Sequence, residues 1–303
     1  MGKCIDPHDS NAAFLYCAST PAAILFSVLF GLSTIAHISQ AIIYRKKFCW
    51  IIIMAALWET GGFVTRVLAT LNQSVITFVF PSQILILLAP LWINAFCYVV
   101  LGRMVHYFLP DQSVARIKAR RLATLFVLLD ITALLIQGTG GSMTSSTDSK
   151  TITLGLHIYM GGIGLQELFI LLFIVLVIQF HKKAILAGDL LGRPTDWRRL
   201  LYVLYATLTL ITIRVIYRLV EFSQGIYNAL TMHEAFFYCL EAIPMLSAMV
   251  LYNIWHPGRV LVGPESEFPK KPKKEKKTRR ERKEEKKRKA EAVQMSVVPV
   301  EQV

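Results

Sequence analysis

Apolar and polar positions in this chain separate by whole segments rather than by alternate residues. Seven apolar runs stand out, at roughly 21–43, 49–71, 81–103, 121–141, 157–179, 197–219 and 234–255. Each approaches the ~20 residues that ~30 Å of hydrocarbon demands at 1.5 Å rise per residue. The pattern predicts an all-α polytopic membrane protein, a bundle of seven transmembrane helices. Pro21 and Pro81 suit helix starts, whereas Pro90 and Pro244 fall inside helices and predict kinks. Residues 1–20 then form a short exoplasmic N-terminus, 21–258 the membrane domain and 259–303 a cytoplasmic tail.

Orientation follows from the loops. Arg45, Lys46 and Lys47 lie between the first two runs. Arg116, Lys118, Arg120 and Arg121 lie between the third and fourth, and Lys182, Lys183, Arg193, Arg198 and Arg199 between the fifth and sixth. The alternate loops are nearly free of basic residues: 72–80 has none and 142–156 only Lys150. The positive-inside rule therefore places the N-terminus outside and the C-terminus inside. Asn72-Gln73-Ser74 is a glycosylation sequon on an outer loop, too near the membrane to be used. No cleavable signal peptide is evident, since Asp6, His8 and Asp9 stand where a basic start and an apolar run belong.

Composition agrees with this reading. Of 303 residues, 54% are hydrophobic and 17% charged, and the mean hydropathy is +0.49, too apolar for a soluble domain of this length. The net charge of +13 would suggest nucleic acid until it is located. Lys270–Lys289 holds 14 Lys/Arg and 4 Glu, a net +10 in one segment without apolar periodicity. On a membrane protein such a disordered basic tail faces the anionic lipids of the cytoplasmic leaflet, not DNA or RNA. Cys4, Cys17, Cys49, Cys97 and Cys239 show neither metal spacing nor a paired framework. Cys4 and Cys17 are able to bridge if the N-terminus is outside, two free thiols being the plainer reading.

The informative residues are the polar ones inside the runs. Arg214, Arg218 and Glu221 sit at i, i+4 and i+7, on one helical face. Glu59, Arg66, Asp130, Glu167, Glu234 and Glu241 lie within or at the ends of other runs. Each mid-membrane charge costs ~2.5–3.5 kcal/mol, so five unpaired ones would cost on the order of 15 kcal/mol, a domain's whole net stability. They must be paired, protonated or wet. Glu59 and Arg66 are ~10 Å apart along one helix, too far to pair directly. Arg66 and Arg214 fall at a depth similar to Glu241, and Asp130 lies level with Glu59. Six acids face three bases, an excess suited to a cationic or zwitterionic headgroup or to carboxylates held neutral by burial. The bland alternative is a set of interhelical salt bridges that fix packing and nothing else. His37 and Gln40 read as helix–helix hydrogen-bonding groups. Gly61-Gly62, Gly140-Gly141 and Gly161-Gly162 read as close helix contacts, and Trp50, Trp197 and Trp255 as interface anchors.

Ordered motifs run through these segments. They are Glu59-x-x-Gly62-Phe63-x-x-Arg66, Ala89-Pro90 with Tyr98 and Gly102-Arg103, Phe126-x-x-x-Asp130 with Gln137 and Gly140, and Gly162-x-x-x-Gln166. Arg214-x-x-Tyr217-Arg218-x-x-Glu221-x-x-x-Gly225 follows, then Glu234, Tyr238 and His256-Pro257-Gly258. Together, over about residues 14–258, these resemble the fungal RTA-like family of lipid-translocating exporters, named for resistance to aminocholesterol. Phe63 stands where a Tyr is more usual, and Glu241 where an Asp is more usual. The resemblance implies a seven-helix fungal membrane protein linked to export or flipping of sphingoid bases, sterol-like amphiphiles or drugs, with porphyrins for some members. No catalytic mechanism carries over from it, and no cofactor is expected.

Three functions compete. A translocator would hold a headgroup in a polar core of Glu59, Arg66, Asp130, Gln137, Gln166, Glu167, Arg214, Arg218, Glu221, Glu234 and Glu241 while the tails stay in lipid. Membrane lipids or amphiphiles are then its partners, and the plasma membrane, or an endomembrane, its location. A seven-helix lipid sensor fits the topology equally. Against a G-protein-coupled type, Gly102-Arg103 lacks a preceding acid and Asn253-Ile254-Trp255-His256-Pro257 is not Asn-Pro-x-x-Tyr. A retinal protein needs a lysine inside a span, and none lies there. An intramembrane metal hydrolase needs ligands at one depth, yet His37 and His256 map to the inner side and His157 and His233 to the outer. No Walker motif is present, so transport would be passive, gradient-driven or ion-coupled.

Overall fold

A computed structural model describes residues 14, 16–71, 76–191, 197–223, 229–268, 284 and 288. The Asn72 sequon, Cys4, Arg193, Gly225 and, apart from residues 284 and 288, the basic run lie outside the described residues. Residues up to Phe268 form one compact unit.

Among the described residues, seven helices are long and apolar enough to cross a membrane. They are α1 (Thr20–Tyr44), α2 (Trp50–Leu71), α3 (Ile76–Phe108), α4 (Ala119–Met143), α5 (Ser149–Leu191), α6 (Trp197–Ser223) and a seventh span, Glu234–Arg259. The protein is thus an integral, multi-pass membrane protein. Consecutive helices pack side by side, and the seventh span closes the bundle by packing on both α6 and α1. Its surface is inverted relative to a soluble protein. Ile24, Val28, Leu32 and Ile35 are exposed along α1, whereas Phe30, Thr34 and His37 are buried. An apolar stripe facing outward is what hydrocarbon solvates, and the polar stripe turns inward.

Several local features explain the element boundaries. The Ser19 hydroxyl accepts from Ala22 N, with Pro21 in the first turn, so α1 starts where expected. By contrast α3 already runs from Ile76, which puts Pro81 as well as Pro90 inside it. The seventh span contains a π-helical turn, Tyr238–Ala242, immediately before Pro244. Proline has no N–H for the carbonyl four residues back, so the ladder is interrupted just where the turn widens. α5 continues well past residue 179, carrying Lys150 near its start and Lys182 and Lys183 near its end. Between α3 and α4 a small hairpin, β1 (Ser113–Val114) with β2 (Ile117–Lys118), turns through Ala115 and Arg116, both at positive φ. Lys183 Nζ donates to Asp111 Oδ2 at 2.7 Å and to the Ser113 carbonyl, tying this hairpin to α5.

Glycines set the closest approaches, one of each predicted pair. A Cβ on Gly140 would lie 2.4 Å from Tyr159 N, one on Gly162 2.7 Å from Gln137 Cγ, and one on Gly62 2.6 Å from Ile86. Gly61, Gly141 and Gly161 have ordinary contacts or open space. α4 and α5 are therefore pressed together through Gly140, Gly155 and Gly162. Trp50 and Trp255 are exposed, as anchors should be, but Trp197 is buried beside Phe180 and His181 and anchors packing instead. Cys17 is disulfide-bonded, against the plainer reading of a free thiol, while Cys49, Cys97 and Cys239 are free.

After the seventh span the chain folds back on the bundle. Ser266 is fully buried: its hydroxyl receives Lys46 Nζ at 2.9 Å and its carbonyl receives Arg103 at 3.1 Å. Gln40 Nε2 donates to the Asn253 carbonyl at 2.7 Å, the helix–helix contact expected of it. His37 is buried and faces the Met249 backbone of the seventh span.

Candidate functional site

The polar face of α6 is where the membrane charges converge. Arg214 Nη2 donates to Glu241 in the π turn of the seventh span and, at 3.4 Å, to the Ile86 carbonyl of α3. One turn on, Arg218 Nη1 donates to Glu221 at 3.1 Å and its Nη2 to the Tyr159 hydroxyl of α5 at 3.0 Å. The Tyr217 hydroxyl donates to the other oxygen of Glu221 at 3.0 Å. The i, i+4, i+7 spacing thus places two guanidinium groups at one face, each with a carboxylate attached.

Opposite stands Asp130, buried on α4. Its Oδ2 accepts from Tyr98 OH at 2.9 Å and from Asn94 Nδ2 at 3.2 Å, both on α3, while Oδ1 has no partner. Two turns beyond, Gln137 Nε2 of α4 donates to Gln166 Oε1 of α5 at 2.9 Å. Asp130, Gln137, Tyr159, Gln166, Arg214 and Arg218 line one cleft, whose apolar walls are Leu87, Leu91, Leu134, Ile163 and Val215. The cleft holds about 440 Å³ of empty space including its open mouth, yet its interior has room for only a water or two. Five of the eleven residues proposed from sequence meet here, and Glu221 and Glu241 adjoin them through the arginines.

Arg66 lies elsewhere. It is fully buried at the end of the bundle that carries the N-terminal segment. Its Nη2 donates to Tyr16 OH at 2.6 Å and to Glu234 at 3.1 Å, and its Nε to Tyr238 OH at 3.3 Å. Phe237 stacks on the guanidinium at 4.1 Å, with Phe14 at 5.5 Å. The second Glu234 oxygen accepts from Ser19 N at 2.7 Å, pinning the start of α1. Arg66 therefore pairs with Glu234, not Glu241, among aromatic side chains of the N-terminal segment and the seventh span.

The ledger of six acids and three bases closes three by three. Glu234, Glu241 and Glu221 take the arginines, and among the described residues no ion pair reaches Glu59, Asp130 or Glu167. Glu59 is buried on α2 with Oε1 unpartnered; Glu167 is half-buried beside Thr212, with no ion pair. Asp130 and Glu59 are not brought together by any hydrogen bond among the described residues. Sequence reasoning missed Asn94, Tyr159 and Tyr16. Asn94 and Tyr98 are four apart and hence on one helical face, a legible signal; Tyr159 and Tyr16 had none beyond being tyrosines near span ends.

A family model described as RTA1 like protein matches residues 52–263. The chain is 45% identical over 278 residues to "Probable lipid transporter atnI" of Emericella nidulans, covering 88% of this chain and 73% of that protein. It is 31% identical over 201 residues to "Protoporphyrin uptake protein 1" of Saccharomyces cerevisiae, covering 65% of each. Against the yeast "Sphingoid long-chain base transporter RSB1" the identity is 23% over 298 residues, 86% of this chain and 78% of that one. No solved structure matches. With a family match that spans α2 through the seventh span, every helix that lines the cleft included, the chain belongs to the RTA1-like family.

Proposed function

We propose that this protein translocates lipids or lipid-like amphiphiles across its membrane, holding the headgroup in the α3–α4–α5–α6 cleft while the tails stay in the bilayer. The observation that carries the reading is a cleft lined by Asp130, Arg214 and Arg218 inside a bundle whose outer surface is apolar. Related chains named for transport of lipids, sphingoid bases and protoporphyrin support it. Because no ion pair reaches Asp130, Glu59 or Glu167 among the described residues, an amine-bearing headgroup is the better complement. The role is non-catalytic, with no cofactor: side chains bind and release, and the lipid is unchanged. Since the cleft admits only water, a headgroup enters after α4–α5 separate from α3–α6, the step that commits substrate to one leaflet or the other.

The N-terminus faces outward and the basic loops inward in this reading, supported by the charge asymmetry of the loops and by the Cys17 disulfide, which belongs on the oxidising side. The basic run from Lys270 then lies against anionic lipid of the cytoplasmic leaflet, and the plasma membrane is the proposed location. A second reading, a lipid sensor without flux, is favoured by the narrowness of the cleft. Purified protein in liposomes decides between them: labelled sphingoid base or phospholipid crosses in a protein-dependent way, or the translocator reading is abandoned.

A further inference from the structure

The polar atoms that the cleft leaves unused are of two kinds, and they come from different helices. Asp130 Oδ1 on α4 is an acceptor without a partner, in a residue 1% exposed. Arg214 Nε and Arg218 Nε on α6 are donors without partners, and Arg214 is 4% exposed. Buried groups left this way cost stability unless something meets them, and all three residues line the same space. Glu241 and Glu221 occupy other nitrogens of the same guanidinium groups and do not line the cleft, whereas the two arginines do, each with its Nε unpartnered.

We propose that this is a two-ended site for a zwitterionic phospholipid headgroup, the ammonium on Asp130 and the phosphate on the free edges of Arg214 and Arg218. The proposal rests on the translocator reading and narrows its substrate class. A lone ammonium would satisfy Asp130 and leave both guanidinium edges as they are. A lone phosphate would meet the guanidinium edges but bring a like charge toward the Asp130 carboxylate. A primary amine joined to a phosphate satisfies all three groups with charge-assisted hydrogen bonds and adds no net charge to a low-dielectric interior.

The test uses the full chain in liposomes with three acyl-chain-labelled lipids: a phosphatidylethanolamine, a phosphatidic acid and a sphingoid base. Wild type should move the phosphatidylethanolamine roughly tenfold faster than either single-ended lipid, the scale of one charge-assisted hydrogen bond. Asp130→Asn should bring its rate down to that of phosphatidic acid without slowing the latter. Arg218→Lys, which keeps the charge but loses the planar edge, should bring it toward the sphingoid base. If the sphingoid base or the phosphatidic acid crosses as fast as the phosphatidylethanolamine, the two-ended site is wrong while translocation stands. If no lipid crosses, translocation itself is wrong. The wild-type panel decides even if a variant fails to fold.

Discussion

Arg66 and the Arg214–Arg218 pair are the same chemistry in two different enclosures. Arg66 is closed in by two hydroxyls, one carboxylate and a stack of rings, and does not line the cleft. Arg214 and Arg218 each have a carboxylate as well, but they also front the cleft that Asp130 enters from the other side. A membrane-buried charge that is fully enclosed fastens structure; one that borders space is available to a ligand. The two regions therefore predict opposite responses to mutation.

The largest effect is expected at the enclosed site. Arg66→Ala strands Glu234 and unpins the N-terminal segment, at a cost of about 3–5 kcal/mol, the scale for breaking a buried pair. Thermal unfolding in detergent should show a large loss of stability, and an unchanged midpoint would remove the fastening role. Next comes Gly140→Ala, whose Cβ would meet Tyr159 backbone at 2.4 Å. Pushing α4 from α5 should cost about 1–3 kcal/mol by the same measurement, while Gly161→Ala, with open space, should cost nothing measurable.

In the cleft the expectation reverses. Asp130→Asn preserves shape and offers a carbonyl oxygen to Tyr98 and Asn94, so stability should change by less than about 1 kcal/mol. Amine-bearing lipid flux should nevertheless fall by about tenfold or more, one lost charge-assisted contact. A variant that unfolds rather than loses flux would erase the distinction between the regions. The smallest effect belongs outside the membrane. Lys183 holds the Asp111 carboxyl below its ordinary value through a direct hydrogen bond. The pair's contribution is therefore complete above the ordinary carboxylate range and fades as pH falls through the lower folded value. For so exposed a pair Asp111→Asn should cost no more than about 1 kcal/mol at neutral pH, and nothing at strongly acid pH, read from unfolding midpoints at both.

Much of this was legible in the linear order of residues. Segment-scale apolarity determined seven spans, since a bilayer requires every crossing to be long, helical and greasy whatever its neighbours are. Helical periodicity determined that Arg214, Arg218 and Glu221 share a face, and charge count determined that acids outnumber bases. The partners were another matter. Arg66 choosing Glu234, Arg214 choosing Glu241, Asp130 resting on Asn94 and Tyr98, and Pro81 lying inside α3 depend on how helices are rotated and shifted against one another. That rotation is set by contacts such as Gly140 against Tyr159, between residues on different helices, which no single segment encodes. Which charges are enclosed and which border the cleft is accordingly a property of the packed bundle alone.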